Sequence, residues 1–153
     1  MKVDYFTIPE ITVMFKDKVK PSERFRIENS ADIAKILAVA YKDCMQHHEE
    51  FQVLFLNNGN RVLGISNVAK GGTNGVLVDV KIILQTALKV SATAIILSHN
   101  HPSGNMKVTE KDKEMTKLIK IGCEAVGIRL LDHVIMSEES YCSFHDEHIL
   151  YSL

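Results

Sequence analysis

Thr93-Ala94-Ile95-Ile96-Leu97-Ser98 is the segment that most restricts the fold. It is too short for a helix and apolar in both alternating sets, so it reads as a central strand buried on both faces. Such a strand needs a covering layer on each side, and helical periods elsewhere in the chain supply them. Behind Ser30, the residues Ile33, Ile36, Leu37, Ala40, Tyr41 and Cys44 predict a helix capped by Ser30 and running to about residue 47. Asp79 caps a second helix through Ile82, Ile83 and Leu88. Thr109 opens a third, with Met115, Leu118, Ile119, Gly122, Cys123 and Val126 on one face and Gly127 as its stop.

Between these helices lie β signals. Glu49 to Leu56 and Arg61 to Ile65 flank Asn57-Asn58-Gly59-Asn60, residues that tolerate positive φ, and together predict a hairpin. Further strands are expected at 128–135 and 141–144. The alternation predicts an α/β fold, a mixed sheet flanked by helices, since a hairpin disfavours a purely parallel winding. Residues 70–75 read as a loop, and so do His99 through Asn105, where Pro102 and Gly104 break any regular element. There is no GxGxxG and no Walker A sequence, so a nucleotide fold is not indicated.

Length fits one domain: 153 residues, divided into an arm or short strands at 1–28 and a main domain at 29–153. No apolar run nears the ~20 residues that span a bilayer, so no membrane association is expected. The start of the chain lacks a secretory h-region. Three cysteines, Cys44, Cys123 and Cys142, show no CxxC spacing, and reduced thiols in a cytoplasm are the simplest expectation. A net charge of -1 argues against strong sequence-independent binding to DNA. The Lys16–Arg26 stretch interleaves its cations with acids and reads as a solvated face.

The chemistry concentrates at His99-Asn100-His101-Pro102-Ser103-Gly104 and Thr109-Glu110-Lys111-Asp112. In extended backbone, residues i and i+2 point the same way, so His99 and His101 can converge on one ion at Zn–N distances of about 2.0–2.1 Å. Asp112, in the first turn of the next helix, supplies a third ligand. Three protein ligands leave a fourth position for water, the pattern of catalytic rather than structural zinc. Thr109 and Asp112 also have the spacing of a capping box. Ser103 sits in a turn and lacks a nucleophile elbow. His133, after Asp132 on a strand, is a candidate partner orienting a ligand from behind. His47 and His48 suit a helix C-terminus without any catalytic role.

The order His-x-His, seven residues beginning with proline, Ser or Thr, two residues, then Asp resembles the signature of the JAMM (JAB/MPN) metalloprotease family. The string HNHPSGN, the preceding AIILS and the later LLDHVI resemble its RadC branch, and the likeness covers roughly residues 45–150. The resemblance implies a cytidine deaminase-like mixed sheet and one Zn²⁺ held by His99, His101 and Asp112. It also implies an oxyanion hydroxyl at Thr109 and a catalytic glutamate in a Glu-x-Phe-x-Val pattern, which maps onto Glu49. Periodicity alone does not choose between Glu49 and Glu50. The resemblance places Glu49 in the cleft and leaves Glu50 to solvent or a basic side chain. The implied activity is zinc-dependent hydrolysis of an amide, peptide or isopeptide bond in a peptide or protein substrate. The alternative it implies is an accessory, non-catalytic role with DNA in repair or recombination. Two departures stand out. The residues before the domain are too few for the helix-hairpin-helix region of longer RadC proteins, and Val78-Asp79-Val80 replaces a His-Pro-Arg often found there. The sequence sets neither the substrate nor the oligomeric state.

Overall fold

The computed structural model describes residues 11–12, 14–15, 18–71 and 77–153. Among these residues three α-helices, α1 (Ser30–Ala40), α2 (Val80–Lys89) and α3 (Glu110–Ala125), surround five strands. The strands are β1 (Glu50–Leu56), β2 (Val62–Lys70), β3 (Ala94–Asn100), β4 (Arg129–Met136) and β5 (Tyr141–Ser143). The sheet order is β2-β1-β3-β4-β5. Among the described residues only the β3–β4 pair is parallel; the other three are antiparallel. This is the mixed α/β sheet that the sequence predicts.

β3 lies in the middle, and its alternation divides the core. Ala94 and Ile96 join Leu54, Leu56, Val134 and the α1 residues Ile33 and Leu37 on one face. Ile95 and Leu97 join Phe51, Val53, Phe55, Ile83 of α2 and Ile119 of α3 on the other. α3 can approach α2 closely because of Gly122, where a Cβ would stand 3.1 Å from Val80 Cγ1 and 3.2 Å from Leu84 Cδ1. Gly127 ends the α3 connection at φ +72°, a conformation that costs glycine little.

Three local expectations need correction. The α1 cap is Asn29, whose side chain accepts from Asp32 N, while Ser30 is the first helical residue. α1 stops at Ala40, and irregular turns carry the chain to residue 47. Asn100 Nδ2 donates to Met45 O and His48 O at 3.1 and 2.9 Å, which satisfies these carbonyls outside any helix. Finally, His99 and Asn100 belong to β3 rather than to the loop, which starts at His101. Their ring and amide are buried because tertiary partners satisfy them.

Residues 72–75 of the expected 70–75 loop lie outside the described residues, as do residues 1–10, 13, 16 and 17 of the expected arm. The arm's end is fixed: Val62 N donates to Phe25 O, Ile27 N donates to Asn60 O, and Ile27 enters the α1-side core. Among the described residues no helix is long and apolar enough to cross a membrane.

Candidate metal centre

The end of β3 and the first turn of α3 meet on the α2/α3 face of the sheet. His99 is fully buried, with its ring parallel to Phe51 at a 6.1 Å centroid separation. His101, one pleat further on, is half-buried. Their Nε2 atoms lie 3.0 Å apart, and Asp112 Oδ1 lies 3.3 Å from His99 Nε2. The Glu49 carboxylate joins from the residue before β1; it and the two ring nitrogens lie within 4.8 Å of one another.

Each anchor has a local cause. Thr109 caps α3 in a capping box: Thr109 N and Oγ1 both donate to Asp112 Oδ2, at 2.8 and 2.7 Å, and Asp112 N donates back to Oγ1. That fixes Oδ2 and leaves Oδ1 turned to His99. Burial alone would raise the Asp112 carboxyl, but hydrogen bonds outweigh it and hold the group well below the usual carboxylate range. The share due to His99 requires a proton or cation between the two groups; the Thr109 share does not. His101 Nδ1 donates to Asn105 O at 2.6 Å, because a carbonyl only accepts, and in a ring carrying one proton that leaves the lone pair on Nε2.

These donors fit a zinc ion. Ligands at about 2.0–2.1 Å around a tetrahedral ion stand ~3.3 Å from one another. The observed 3.0 and 3.3 Å separations match that spacing. His101 Nε2 and Asp112 Oδ1 each stand at that spacing from His99 Nε2, and imidazole and carboxylate donors suit a divalent cation; the ligand atoms that all lie within 4.8 Å of one another are those of Glu49, His99 and His101, without Asp112. Glu49 differs from Asp112 in having no hydrogen bond to its carboxylate among the described residues, so nothing fixes it as Asp112 is fixed.

Behind His99 the polar contacts continue inward. His99 Nδ1 meets His133 Nε2 at 2.8 Å, and His133 Nδ1 meets Thr116 Oγ1 at 2.6 Å. His133 is fully buried against Phe51 and Phe144, and burial pushes its imidazole well below the ordinary range, so the ring is neutral. In front of the ligands an open cavity of about 390 Å³ is lined by Glu49, His101, Ser103, Lys107 and Thr109 among others. Ser103 lies exposed on its wall, in the turn after Pro102.

Glu50 points the other way. It is buried and accepts from His48 Nε2 at 2.8 Å, from Lys70 Nζ at 3.2 Å and from Asn67 Nδ2. A basic side chain faces it, and it is not solvent-exposed. It belongs to a second cluster of Cys44, His48 and Glu50. There the Cys44 thiol is pushed up to about 11, mainly by burial, so it is a neutral thiol. Two residues in this region escape sequence reasoning. Asn100 accepts from Glu50 N at 2.7 Å and donates to Met45 O and His48 O, tying the segment that carries Glu49 to the strand that carries both histidines. Thr116 has no sequence signal beyond lying one helical turn after Asp112.

Comparison with known proteins bears on the domain as a whole. The model of the RadC-like JAB domain matches residues 27–149. The chain belongs to that family. It is 47% identical over 102 residues to a UPF0758 protein of Flavobacterium johnsoniae, an alignment covering 67% of this chain and 44% of that relative. A UPF0758 protein of Staphylococcus haemolyticus is 34% identical over 126 residues, covering 82% of this chain and 54% of the relative. The chain thus spans about half the length of the curated relatives it matches.

Proposed function

We propose that this domain is a zinc-dependent hydrolase of amide, peptide or isopeptide bonds, with His99, His101 and Asp112 as ligands and Glu49 as general base and acid. The observation that carries the reading is that His101 Nε2 and the anchored Asp112 Oδ1 each stand at ligand spacing from His99 Nε2, with an unanchored carboxylate beside the two imidazoles at the edge of an open cavity. A bound zinc ion supplies Lewis acidity toward a carbonyl and makes water more acidic.

The chain's own residues do the rest. The Thr109 pair of hydrogen bonds holds Asp112 in place. Glu49, free to swing, takes the proton of the attacking water and delivers one to the leaving nitrogen. Thr109 lines the cavity, where its hydroxyl can turn from Asp112 to a developing oxyanion. Lys107 and His101 border the space for the substrate, and the open cavity suits an extended peptide segment. Family membership supports a metallohydrolase reading at the level of the domain.

The test is a peptide and isopeptide substrate screen with zinc-loaded native protein and Glu49→Gln. Cleavage by the native chain that disappears in Glu49→Gln, at equal zinc content, supports the assignment. Equal turnover by both proteins contradicts it.

A further inference from the structure

Thr116 sits in the middle of α3, fully buried, with its hydroxyl between two polar atoms. Thr116 Oγ1 lies 2.6 Å from Asp112 O and 2.6 Å from His133 Nδ1. A carbonyl oxygen cannot donate, so two oxygens at that separation need the hydroxyl proton between them. Thr116 therefore spends its one proton on Asp112 O, and its oxygen can only accept from His133. In a ring carrying one proton, that puts the His133 proton on Nδ1 and leaves Nε2 as an acceptor. His133 Nε2 is 2.8 Å from His99 Nδ1, so His99 donates there and keeps a lone pair on Nε2. That lone pair faces His101 Nε2 and Asp112 Oδ1.

We propose that Thr116 is a positioning residue that, acting through His133, locks His99 in the tautomer whose Nε2 can bind the metal. The inference rests on the metal reading above and adds the device that prepares it. α3 would then serve the site twice: Asp112 offers its side chain as a ligand, and its backbone carbonyl sets the proton order of a ligand on another element. Neutral histidine has two tautomers, and the wrong one would aim an N–H at the ion; the partner behind a ligating histidine commonly decides which forms.

The experiment uses the full chain and zinc alone as the probe. Competition with a chromophoric chelator should show Thr116→Val, equal in shape but lacking the hydroxyl, binding zinc about 10–100-fold more weakly than native, the range for such outer partners. Thr116→Ser should restore binding. Long-range ¹H–¹⁵N spectra of the zinc-free native chain should show His99 and His133 both protonated on Nδ1. A native His133 protonated on Nε2 overturns the proposal. So does native zinc affinity in Thr116→Val when His99→Ala has lost it. Native affinity in His99→Ala itself sinks the metal reading, and the relay with it. If Thr116→Val does not fold, the native spectra and Thr116→Ser still decide.

Discussion

Glu49 and Glu50 are adjacent in the chain and open onto opposite faces of one sheet, each beside histidine. On the α1 face, Glu50 is buried among His48, Lys70 and Asn67, all directing hydrogens at it, with a neutral Cys44 thiol nearby. On the α3 face, Glu49 lies near two imidazoles and has no hydrogen bond to its carboxylate among the described residues, while an Asp112 oxygen and His101 Nε2 both face His99 Nε2. Both clusters hold residues able to ligate a metal. Only the second gathers acceptors without the donors that would satisfy them. Buried polar groups are normally paired, so under the proposed reading the cluster left short of donors is the one that takes a cation, and the completed one is structural.

Exchanging the two carboxylates for amides tests that contrast most severely. Glu49→Gln should lower turnover by about 10²–10⁴-fold, the usual worth of a positioned general base, with zinc retained. Glu50→Gln should leave turnover near native. Equal losses would erase the distinction between the faces.

Asn100 joins the two faces, and its loss should have the next largest effect. Asn100→Ala would strip buried partners from Glu50 N, Met45 O and His48 O. A destabilisation of about 3 kcal/mol is expected in urea unfolding, since each buried unsatisfied group costs roughly 1–3 kcal/mol. Turnover should fall further than zinc affinity, because the clamp holds the Glu49 segment and the ligands stay on β3 and α3. A loss below about 1 kcal/mol would show that the turns at 41–47 hold themselves.

How much of this was open to sequence reading follows from the range of each interaction. The buried run 93–98, the hairpin turn and the third helix are local patterns, and they yield the mixed sheet. The His99, His101 and Asp112 set is local too: a two-residue pleat repeat and an N-terminal helical turn. Tertiary hydrogen bonds are not. Pro102 and Gly104 suggest a loop from His99 onward, whereas His133 and the 44–50 segment extend β3 through Asn100. Asn29 and Ser30 are both good caps, and only backbone conformation chooses the first. Asn100 and Thr116 look like ordinary polar residues until the fold brings residues 45, 48 and 133 to them.

The smallest expected effect concerns pH. Burial pushes the Glu50 carboxyl up, but His48 and Lys70 draw it below its ordinary 4.5. An acid depressed on folding stabilises fully above its unfolded value, and that contribution disappears as pH falls through the folded value. The stability gap between native and Glu50→Gln should therefore be present at neutral pH and shrink below pH 4.5. It should stay under about 1 kcal/mol, since Lys70 is exposed and solvent screens the pair. A gap that widens on acidification would reverse the assignment.

Zinc stoichiometry in paired variants tests the contrast most directly. One ion per native chain is expected, lost in His99→Ala/His101→Ala and in Asp112→Ala, and retained in Glu49→Gln and in Cys44→Ser/His48→Ala. Zinc that survives removal of His99 and His101 but disappears with Cys44 and His48 would place the metal on the other face of the sheet and contradict the assignment.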